Sequence, residues 1–478
     1  MSGTHALAIG IGRFETLRAH IAAGASPRLH AALVCGDGEG LGIEVLGQAR
    51  DAEHLIAARD PDSIATVVVL DPLADLAITL GSLLRLASAG RRVVRRPDAG
   101  EWLDLPSAVR ANAGAVNVKT LLGRDPVPMA CLDGAALVEG ERVLVTGAGG
   151  SIGSEIAVML ARSGCAHLTL VDNCEHNLFS IERRIRDIAP NSPVRALLLD
   201  VRDRRHVFTA IARDKPSYVF HAAALKHVPM VEAHPSQGVL TNLIGTRNVV
   251  DACAAAGVRA MTFISTDKAV QPASVMGLTK RLAEDYVRSR DNDGAASGGA
   301  RFVTVRFGNV LGTSGSVAPI FAEQIARGGP VTITHPDMER YFMSSDEAVR
   351  LTLRATALGI ADVERACGLF VLEMGDPIRI IEFARRMIDA FGLAPGRDVP
   401  ITVVGARPGE KLTEALVDDD EHGAQSGVAG ILEVASDTVG LAPDVLARLE
   451  AAARDQDDAL VLRLLDDICA RRRRSAVA

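Results

Sequence analysis

Short apolar runs alternate with amphipathic stretches along most of the chain, and this alternation predicts parallel α/β folding units. The first hundred residues contain apolar runs that predict strands at 6–12, 30–37, 66–71 and 91–97. The amphipathic stretches between them predict helices at 13–24, 51–60 and 78–90. We therefore expect a small parallel-sheet domain at the N-terminus.

A second series of strands and helices begins at residue 141 with "RVLVTGAGGSIGSEIAVMLARSG", a buried strand, a glycine-rich turn and a helix. Further strands recur in "HLTLVD", "VRALLLD", "SYVFHAA", "AMTFIST" and "FVTVRFGNV", and the β-α-β order favours a doubly wound parallel sheet. From about residue 330 the alternation becomes irregular. The predicted organisation is a Rossmann-like α/β domain at 1–105, a linker at 106–140, a Rossmann domain at 141–330, a smaller lobe with a partial return to the sheet at 331–440, and C-terminal helices at 441–478.

Composition and charge narrow the functional classes. Hydrophobic residues make up 48% and charged residues 23% of the chain, as in ordinary globular proteins, and a net charge of −7 gives no general attraction to nucleic acid. The seven cysteines lack metal-ligand spacing, so we expect reduced thiols and no metal site. The sequence shows neither a signal peptide nor a run of apolar residues long enough to cross a membrane, and we expect a cytoplasmic protein without an integral membrane segment.

Two predicted strand ends contain glycines, and they match the glycine pattern of a nucleotide-binding site to different degrees. Gly10 and Gly12 end the first predicted strand, but the third glycine of a dinucleotide fingerprint is replaced by Glu15. A degenerate nucleotide-binding fold used for assembly or regulation is therefore favoured there. By contrast, Gly147, Gly150 and Gly153 lie directly between a strand and a helix, where glycines permit a tight turn and close approach of a pyrophosphate.

The other predicted cofactor contacts follow from this second glycine turn. Ser151 and Ile152 begin the helix whose N–H groups would bind phosphate. Asp172 ends the next strand, where a carboxylate bonds the ribose 2′-hydroxyl and repels a 2′-phosphate, which favours NAD over NADP. Residues after the following strands complete the predicted set: Asp200, which could contact adenine, with Val201, Ala222 and Ala223.

The stretch "STDKAVQPASVMGLTK" carries the candidate chemistry. A short-chain dehydrogenase/reductase would have a Tyr-x-x-x-Lys motif near its end, but Met276 stands at the Tyr position, four residues before Lys280. Upstream, Thr266, Asp267 and Lys268 end a predicted strand at the carboxyl edge of the sheet, where α/β proteins bind ligands. A hydroxyl, an acid and an amine together indicate acid–base chemistry, and the alternative is a surface salt-bridge patch.

Residues from about 120 to 420 resemble the nucleotide-sugar 4,6-dehydratases of the extended short-chain dehydrogenase/reductase superfamily. The resemblance is closest to the capsular and O-antigen polysaccharide group. It rests on "LLGRDPVP", "VLVTGAGGSIGSE", "FHAAALKHVPMVE", "STDKAV", "MGLTKRLAE", "RFGNVLGTSGSV", "THPDMERYFM" and "ARPGEKLTE". Within the group, a Met at the Tyr position resembles the configuration-retaining branch, which acts on UDP-N-acetylglucosamine.

This resemblance implies a redox-neutral reaction that uses bound NAD. The sugar is oxidised at C4, Lys268 removes the C5 proton, and Asp267 protonates the departing C6 hydroxyl. Thr266 would bond the C4 oxygen, and Lys280 would lie near the nicotinamide ribose. The acceptor of the 4-hydroxyl proton stays open, with Lys280 acting through Thr266 or water as one candidate.

Further residues are implied in substrate binding, and surface salt bridging is their alternative. Lys226 would reach the nicotinamide side or the sugar, and Asn309 the substrate diphosphate. Arg340 and Arg407 suit bidentate phosphate contact, and Glu410 the nucleotide ribose. Asn242 is expected to be architectural, and His221 is expected to be structural. A homo-oligomer follows from the resemblance alone.

Three alternatives remain open from the sequence. The same reaction could act on a GDP- or dTDP-sugar. A nucleotide-sugar 4-epimerase shares the fold and cofactor, but it normally uses the Tyr that this chain lacks. A non-catalytic NAD(H) sensor would have no need for Thr266, Asp267, Lys268 and Lys280 together.

Overall fold

The structure is a computed structural model. It describes residues 7–23, 29, 31–35, 41, 43–57, 64–70, 83, 86, 92–95, 103–104, 121–124, 134–297, 299–313, 315–361, 368–391, 393–436 and 440–477. Most of the predicted helix at 78–90, all but Leu83 and Leu86, and most of the predicted linker lie outside the described residues.

The strands, in chain order, are β1 (Leu7–Arg13), β2 (Ala31–Cys35), β3 (Glu44–Gln48), β4 (Ile64–Val69), β5 (Arg92–Arg95), β6 (Leu103–Asp104), β7 (Arg142–Thr146), β8 (His167–Asp172), β9 (Val194–Leu198), β10 (Tyr218–His221), β11 (Ala260–Ile264), β12 (Arg301–Arg306), β13 (Asn309–Val310), β14 (Val331–Ile333), β15 (Glu339–Arg340), β16 (Phe342–Met343), β17 (Gly368–Leu372), β18 (Ile378–Arg379), β19 (Ile401–Val403), β20 (Glu421–Gln425) and β21 (Ile431–Ser436).

The α-helices are α1 (Phe14–Ala22), α2 (Ala52–Ala57), α3 (Ser151–Arg162), α4 (Glu175–Ile188), α5 (Arg204–Asp214), α6 (Val228–Ala233), α7 (Pro235–Gly238), α8 (Thr246–Ala256), α9 (Val275–Ser297), α10 (Val317–Ala326), α11 (Ser345–Ala361), α12 (Ile380–Ala390), α13 (Pro443–Arg454) and α14 (Asp458–Val477). A π-helical segment, Val239–Gly245, joins α7 to α8. Short 3₁₀ helices occur at Ala49–Asp51, Gly134–Leu137 and Asp267–Ala269.

The chain divides into two compact units. The first comprises Met1–Gly123, Gly315–Asp337 and Arg379–Gly405, and the second comprises Arg124–Ser314, Met338–Ile378 and Ala406–Ala478. Neither unit is continuous in sequence, since both take segments from the region between residues 315 and 405. The predicted domain boundaries differ from this division and stay predictions.

The first unit contains a Rossmann-like sheet. Among its described residues, six strands pair in the order β3-β2-β1-β4-β5-β6, and all pairs are parallel except β5 with β6. The predicted strands correspond to β1, β2, β4 and β5, and this part of the fold prediction is confirmed. Strand β3 was not predicted, because its burial pattern has no fully buried position and its sequence "EVLGQ" lacks an apolar run.

The second unit is a larger doubly wound sheet. Within the described chain, nine strands pair in the order β9-β8-β7-β10-β11-β12-β17-β21-β20. The strands from β9 to β17 run parallel, and β21 and β20 add as antiparallel strands. Strands buried on both faces, such as β11, explain the continuous apolar runs in the sequence.

The order of strands in the second unit reverses between β7 and β10, which run side by side although they are distant in the chain. In open α/β sheets, ligands bind outside the carboxyl ends of the strands at such a reversal. The glycine turn follows β7 at this edge, and the stretch beginning with Thr266 follows β11 two strands away. The fold therefore brings the two candidate sites to one edge of one sheet.

Among the helices that the structure describes, none combines the length and the apolar character that a bilayer crossing requires.

Candidate active site

In the glycine turn after β7, backbone atoms lie so close to the glycines that a side chain would clash with them. Gly147 has a φ of +66°, and a Cβ there would lie 2.6 Å from the Ala223 backbone nitrogen. A Cβ at Gly153 would lie 2.0 Å from the Gly147 carbonyl oxygen. Gly150 is the N-cap of α3 and offers no side chain to the first N–H groups of the helix, where Ser151 and Ile152 stand. The turn is thus compact, and the N-terminus of α3 has no side-chain cap.

Asp172 ties the glycine turn to the end of β8. The Gly149 N–H donates to its Oδ2 and the Cys174 N–H to its Oδ1, each at 2.9 Å. The residue is 8% exposed. Each oxygen of a carboxylate accepts more than one hydrogen bond, so this placement leaves acceptor capacity for a ribose hydroxyl beside the turn.

Asp200 and Val201 follow β9 at the same edge. The Arg202 guanidinium donates to Asp200 through Nε at 2.8 Å. Burial acts to raise the pKa of Asp200, but Arg202 holds this pKa below its ordinary value. Ala222 and Ala223 follow β10, and the Ala222 N–H donates to the Thr146 carbonyl at 3.0 Å. The structure therefore places the predicted cofactor contacts after four neighbouring strands.

Thr266, Asp267 and Lys268 form a hydrogen-bonded set at the end of β11. The Thr266 hydroxyl donates to Asp267 Oδ1 at 2.8 Å, and Lys268 Nζ donates to the same oxygen at 3.0 Å. Thr266 is also the N-cap of the 3₁₀ helix Asp267–Ala269. Because these residues leave the strand in this short helix, three adjacent side chains converge instead of alternating between the faces of the sheet.

The Asp267 carboxyl is fully buried, whereas the Lys268 side chain is 22% exposed. Within the described part of the chain, Asp267 Oδ2 has no hydrogen-bond partner. A Cβ at Gly308 would lie 2.9 Å from this oxygen, so only a residue without a side chain fits there. A buried carboxyl oxygen without a partner is costly in a purely structural residue and suits a group that handles protons.

Met276 and Lys280 occupy adjacent turns of α9, and both are buried, with exposures of 3% and 5%. Lys280 Nζ donates to the Ile264 carbonyl at 2.6 Å and lies 4.0 Å from the centre of the Phe263 ring. Burial lowers the pKa of Lys280 to about 7, although the charge of Glu284 opposes this shift. The next glycine, Gly277, lets the Lys268 carbonyl approach α9, since a Cβ there would lie 2.2 Å from that oxygen.

Two predicted scaffold residues support this edge. Asn242 accepts from the Leu225 N–H at 2.8 Å and donates to the Leu225 carbonyl and to Thr279, so it ties the chain after β10 to α9. His221 is fully buried between Thr146 and Thr246, at 2.6 and 3.0 Å. Burial and the charge of Lys280 lower the pKa of His221 to about 3, so its ring is neutral at ordinary pH.

The predicted substrate-binding residues differ in their exposure and in their hydrogen-bond partners. Lys226 is exposed after β10, and Asn309 begins β13 with its N–H donated to the Tyr341 carbonyl. Arg340 is 8% exposed, and its guanidinium donates to the carbonyls of Glu339 and Leu412. A carbonyl-bound guanidinium supports the chain locally, and its role in phosphate binding stays a prediction.

Arg407 and Glu410 belong to one turn, in which the Arg407 N–H donates to the Glu410 carboxylate at 3.0 Å. Gly409 in this turn approaches Ser274. The Lys411 ammonium donates to the Val270 carbonyl at 2.8 Å. The segment "ARPGEKLTE" therefore lies against the chain between Lys268 and Met276, although it is distant in sequence.

Sequence reasoning missed two residues near the acid–base set. Glu414 is 5% exposed, and its Oε1 lies 3.7 Å from Lys268 Nζ. Tyr341 packs beside Gly308, and burial raises the pKa of its phenol. The neighbouring carboxylates, including that of Asp267, raise this pKa further, which disfavours the phenolate form. Both residues lie in motifs quoted above, but only the fold shows that they approach Asp267 and Lys268.

Comparison with known proteins identifies the family. A sequence profile described as "Polysaccharide biosynthesis protein" matches residues 143–435, more than half of the chain. This chain belongs to the polysaccharide biosynthesis protein family. The matched region contains both the glycine turn and the stretch from Thr266 to Lys280, so family membership rests on the part of the chain that carries the candidate site.

Several known proteins are similar to part of this chain. The chain is 43% identical over 311 residues to the probable polysaccharide biosynthesis protein EpsC of Bacillus subtilis, covering 65% of this chain but 50% of that relative. It is 32% identical to a UDP-N-acetylglucosamine 4,6-dehydratase (inverting) of Campylobacter jejuni and 34% identical to a UDP-glucose 4-epimerase of Rickettsia rickettsii. These matches cover 60% and 58% of this chain, and 80% and 78% of the relatives.

A solved structure agrees with the fold. The X-ray structure of Pen from Bacillus thuringiensis superposes with a TM-score of 0.53 at 32% identity, and the match covers 58% of this chain and 84% of Pen. The relatives of this polysaccharide biosynthesis protein thus include a nucleotide-sugar dehydratase and a nucleotide-sugar epimerase, and the structure of Pen has the same Rossmann-like fold.

Proposed function

We propose that this protein is a nucleotide-sugar 4,6-dehydratase that converts UDP-N-acetylglucosamine to UDP-2-acetamido-2,6-dideoxy-4-keto-hexose. The observation that carries the proposal is the Asp267–Lys268 pair, an acid and a base 3.0 Å apart at the carboxyl end of β11. Removal of water across C5–C6 needs one group to take a proton and another to give one. The name of the Campylobacter jejuni relative supports this reaction class.

The glycine turn fits a dinucleotide. Gly147 and Gly153 leave backbone surface that a Cβ would fill, and the N-terminus of α3 would hold the pyrophosphate. Asp172 would bond the adenosine ribose and repel a 2′-phosphate, so NAD is favoured over NADP. When bound, NAD would accept a hydride from C4 of the sugar and return it to C6.

Thr266 and Asp267 offer a route for the proton of the 4-hydroxyl. The Thr266 hydroxyl already donates to Asp267 Oδ1 at 2.8 Å. As C4 is oxidised, Thr266 would accept the sugar proton and pass its own proton to the Asp267 carboxylate. Met276 carries no proton, and Lys280 Nζ donates to the Ile264 carbonyl, so this route uses the hydroxyl that lies closest to the acid.

Asp267 and Lys268 then carry out the elimination. The 4-ketone acidifies C5–H, and the neutral Lys268 amine takes that proton. Protonated Asp267 gives its proton to the C6 oxygen, and water leaves. After reduction at C6, the Lys268 ammonium returns its proton to C5. The proton taken from the 4-hydroxyl thus leaves with the water, and both side chains end the cycle as they began.

Incubation with UDP-N-acetylglucosamine followed by mass spectrometry tests the proposal. We expect a 4-keto product that has lost one water. Asp267→Asn and Lys268→Ala should each stop water loss while the purified variants keep bound NAD. Lys215→Met is the matched control, since Lys215 is exposed at the C-cap of α5, and it should retain activity. Water loss undiminished in both site variants would contradict the proposal.

A nucleotide-sugar 4-epimerase is the second candidate, because one relative is a UDP-glucose 4-epimerase. It would give a product of unchanged mass in the same assay. A panel that includes GDP- and dTDP-sugars tests the nucleotide. Absence of turnover with the whole panel would favour an NAD(H) sensor.

A further inference from the structure

Glu414 is a buried carboxylate close to the amino groups of two lysines. Its Oε1 lies 3.7 Å from Lys268 Nζ, and its Oε2 lies 3.9 Å from Lys411 Nζ. In the region that the structure describes, Oε2 has no hydrogen-bond partner. Lys411 also donates to the Val270 carbonyl at 2.8 Å, so it fixes Glu414 against the turn that carries Asp267 and Lys268.

Burial of a carboxylate is costly unless nearby charges compensate it. Glu414 is 5% exposed, and the amino groups of Lys268 and Lys411 lie within 4 Å of its carboxylate oxygens. Lys268 Nζ contacts Asp267 Oδ1 at 3.0 Å and also lies 3.7 Å from Glu414 Oε1. The Lys268 amine is thus within 4 Å of two carboxylates.

We propose that Glu414 is a positioning residue that orients Lys268 and stabilises its positive charge as it takes the C5 proton. The catalytic part of this inference rests on the proposed function. Asp267 loses its proton during the same step, and the carboxylate of Glu414 is the group that can favour the ammonium form before that transfer is complete. Stabilisation of charge that develops in the transition state lowers the barrier directly.

A measurement that needs no turnover tests the electrostatic contact. Competitive labelling with acetic anhydride across a range of pH, followed by peptide mass spectrometry, reports the fraction of Lys268 present as neutral amine. The charged groups around this amine are Asp267, Glu414 and, beyond Glu414, Lys411. We expect Glu414→Gln to shift the labelling midpoint of Lys268 to lower pH, because one nearby negative charge is removed.

Asp419→Asn is the matched control, since Asp419 is an exposed carboxylate in the same segment, and it should leave the midpoint unchanged. Circular dichroism checks that each variant is folded. If Glu414→Gln does not fold, Glu414→Asp keeps the charge but withdraws it from Lys268, and we expect a smaller shift in the same direction. An unchanged midpoint in the folded variant overturns the proposal.

Kinetics test the positioning role. We expect Glu414→Gln to lower kcat about tenfold with little change in KM, and to move the rising limb of the pH–rate profile to lower pH. A purely structural role would leave that limb in place, and this result would also overturn the proposal. If the wild-type enzyme does not convert UDP-N-acetylglucosamine, the proposed function fails, but the labelling midpoint still decides the contact between Glu414 and Lys268.

Discussion

The Lys280 amine lies in a setting that opposes its charge. Burial lowers its pKa to about 7 from an ordinary value of 10.5. Between these values the unfolded chain binds more protons than the folded protein, so the stability of the fold rises with pH across this window. The free-energy cost of burying the protonated Lys280 amine is fully present below pH 7 and absent above about 10.5.

This setting predicts a pH-dependent effect of Lys280→Met on stability. Met keeps the length of the side chain without its charge, so we expect the variant to gain Tm over the wild type near pH 7, and this gain should shrink as the pH approaches 10.5. Thermal unfolding of the cofactor-free protein at several pH values measures it. Lys215→Met is the control and should show no such trend. A gain that is independent of pH would contradict the buried setting.

Substitution of Gly153 by Ala should impair retention of the cofactor. A Cβ there would lie 2.0 Å from the Gly147 carbonyl, so Gly153→Ala must displace the backbone of the turn. We expect this variant to lose most of its bound nucleotide, measured by chromatography after denaturation. Gly423→Ala is the control, because its Cβ would meet only the Val417 side chain at 3.8 Å. Full nucleotide content in Gly153→Ala would show that the turn does not hold the cofactor.

At the same scale, sequence could identify Asp267 and Lys268 because they follow an apolar strand and their types suit acid–base chemistry. It could not find Glu414, since no spacing rule relates residue 414 to residue 268. Their approach to 3.7 Å exists only because the segment after Ala406 folds back against the turn at Val270.

At the scale of elements, a buried ionic network joins β12, α9 and β20. The Arg306 guanidinium contacts Glu284 and Glu421 at 2.7 Å each, and all three side chains are fully buried. Burial acts to raise the pKa of Glu421, but Arg306 and Arg281 hold this pKa at about 2. Glu421 therefore contributes stability at neutral pH, which is lost as the pH falls from 4.5 toward 2.

Arg306→Met should be strongly destabilising, because it leaves two carboxylates buried without their main partner. We expect a loss of about 3–5 kcal/mol in the free energy of unfolding, measured with urea. Arg350→Met is the control, since its ion pair with Asp346 is exposed, and its loss should be at most about 1 kcal/mol. Similar losses for both variants would show that the buried network does not join these elements.

The elements themselves were largely predictable. Buried parallel strands such as β7 and β11 are recognisable in the sequence as apolar runs, because both of their faces pack against helices. The π-helical segment Val239–Gly245 leaves no comparable pattern, and within it Asn242 makes contacts with Leu225 and Thr279, which are distant in sequence. Local sequence does not contain those contacts.

At the scale of the whole molecule, the sequence predicted two α/β sheets but not how the chain is shared between the compact units. The regions around 315–337 and 379–405 belong to the first unit, and the residues between them belong to the second. Such exchange depends on tertiary contacts such as the pairing of β14 with β19, whose strands are three residues long and carry little pattern.

The proposed reaction moves the hydrogen at C4 of the sugar to C6 while one water is lost. The most direct test is incubation of the wild-type protein with UDP-N-acetylglucosamine deuterated at C4, with mass spectrometry and NMR of the product. We expect a 4-keto sugar that has lost water and carries the deuterium on its new methyl carbon. A product of unchanged mass with deuterium still at C4, or no product at all, would contradict the account.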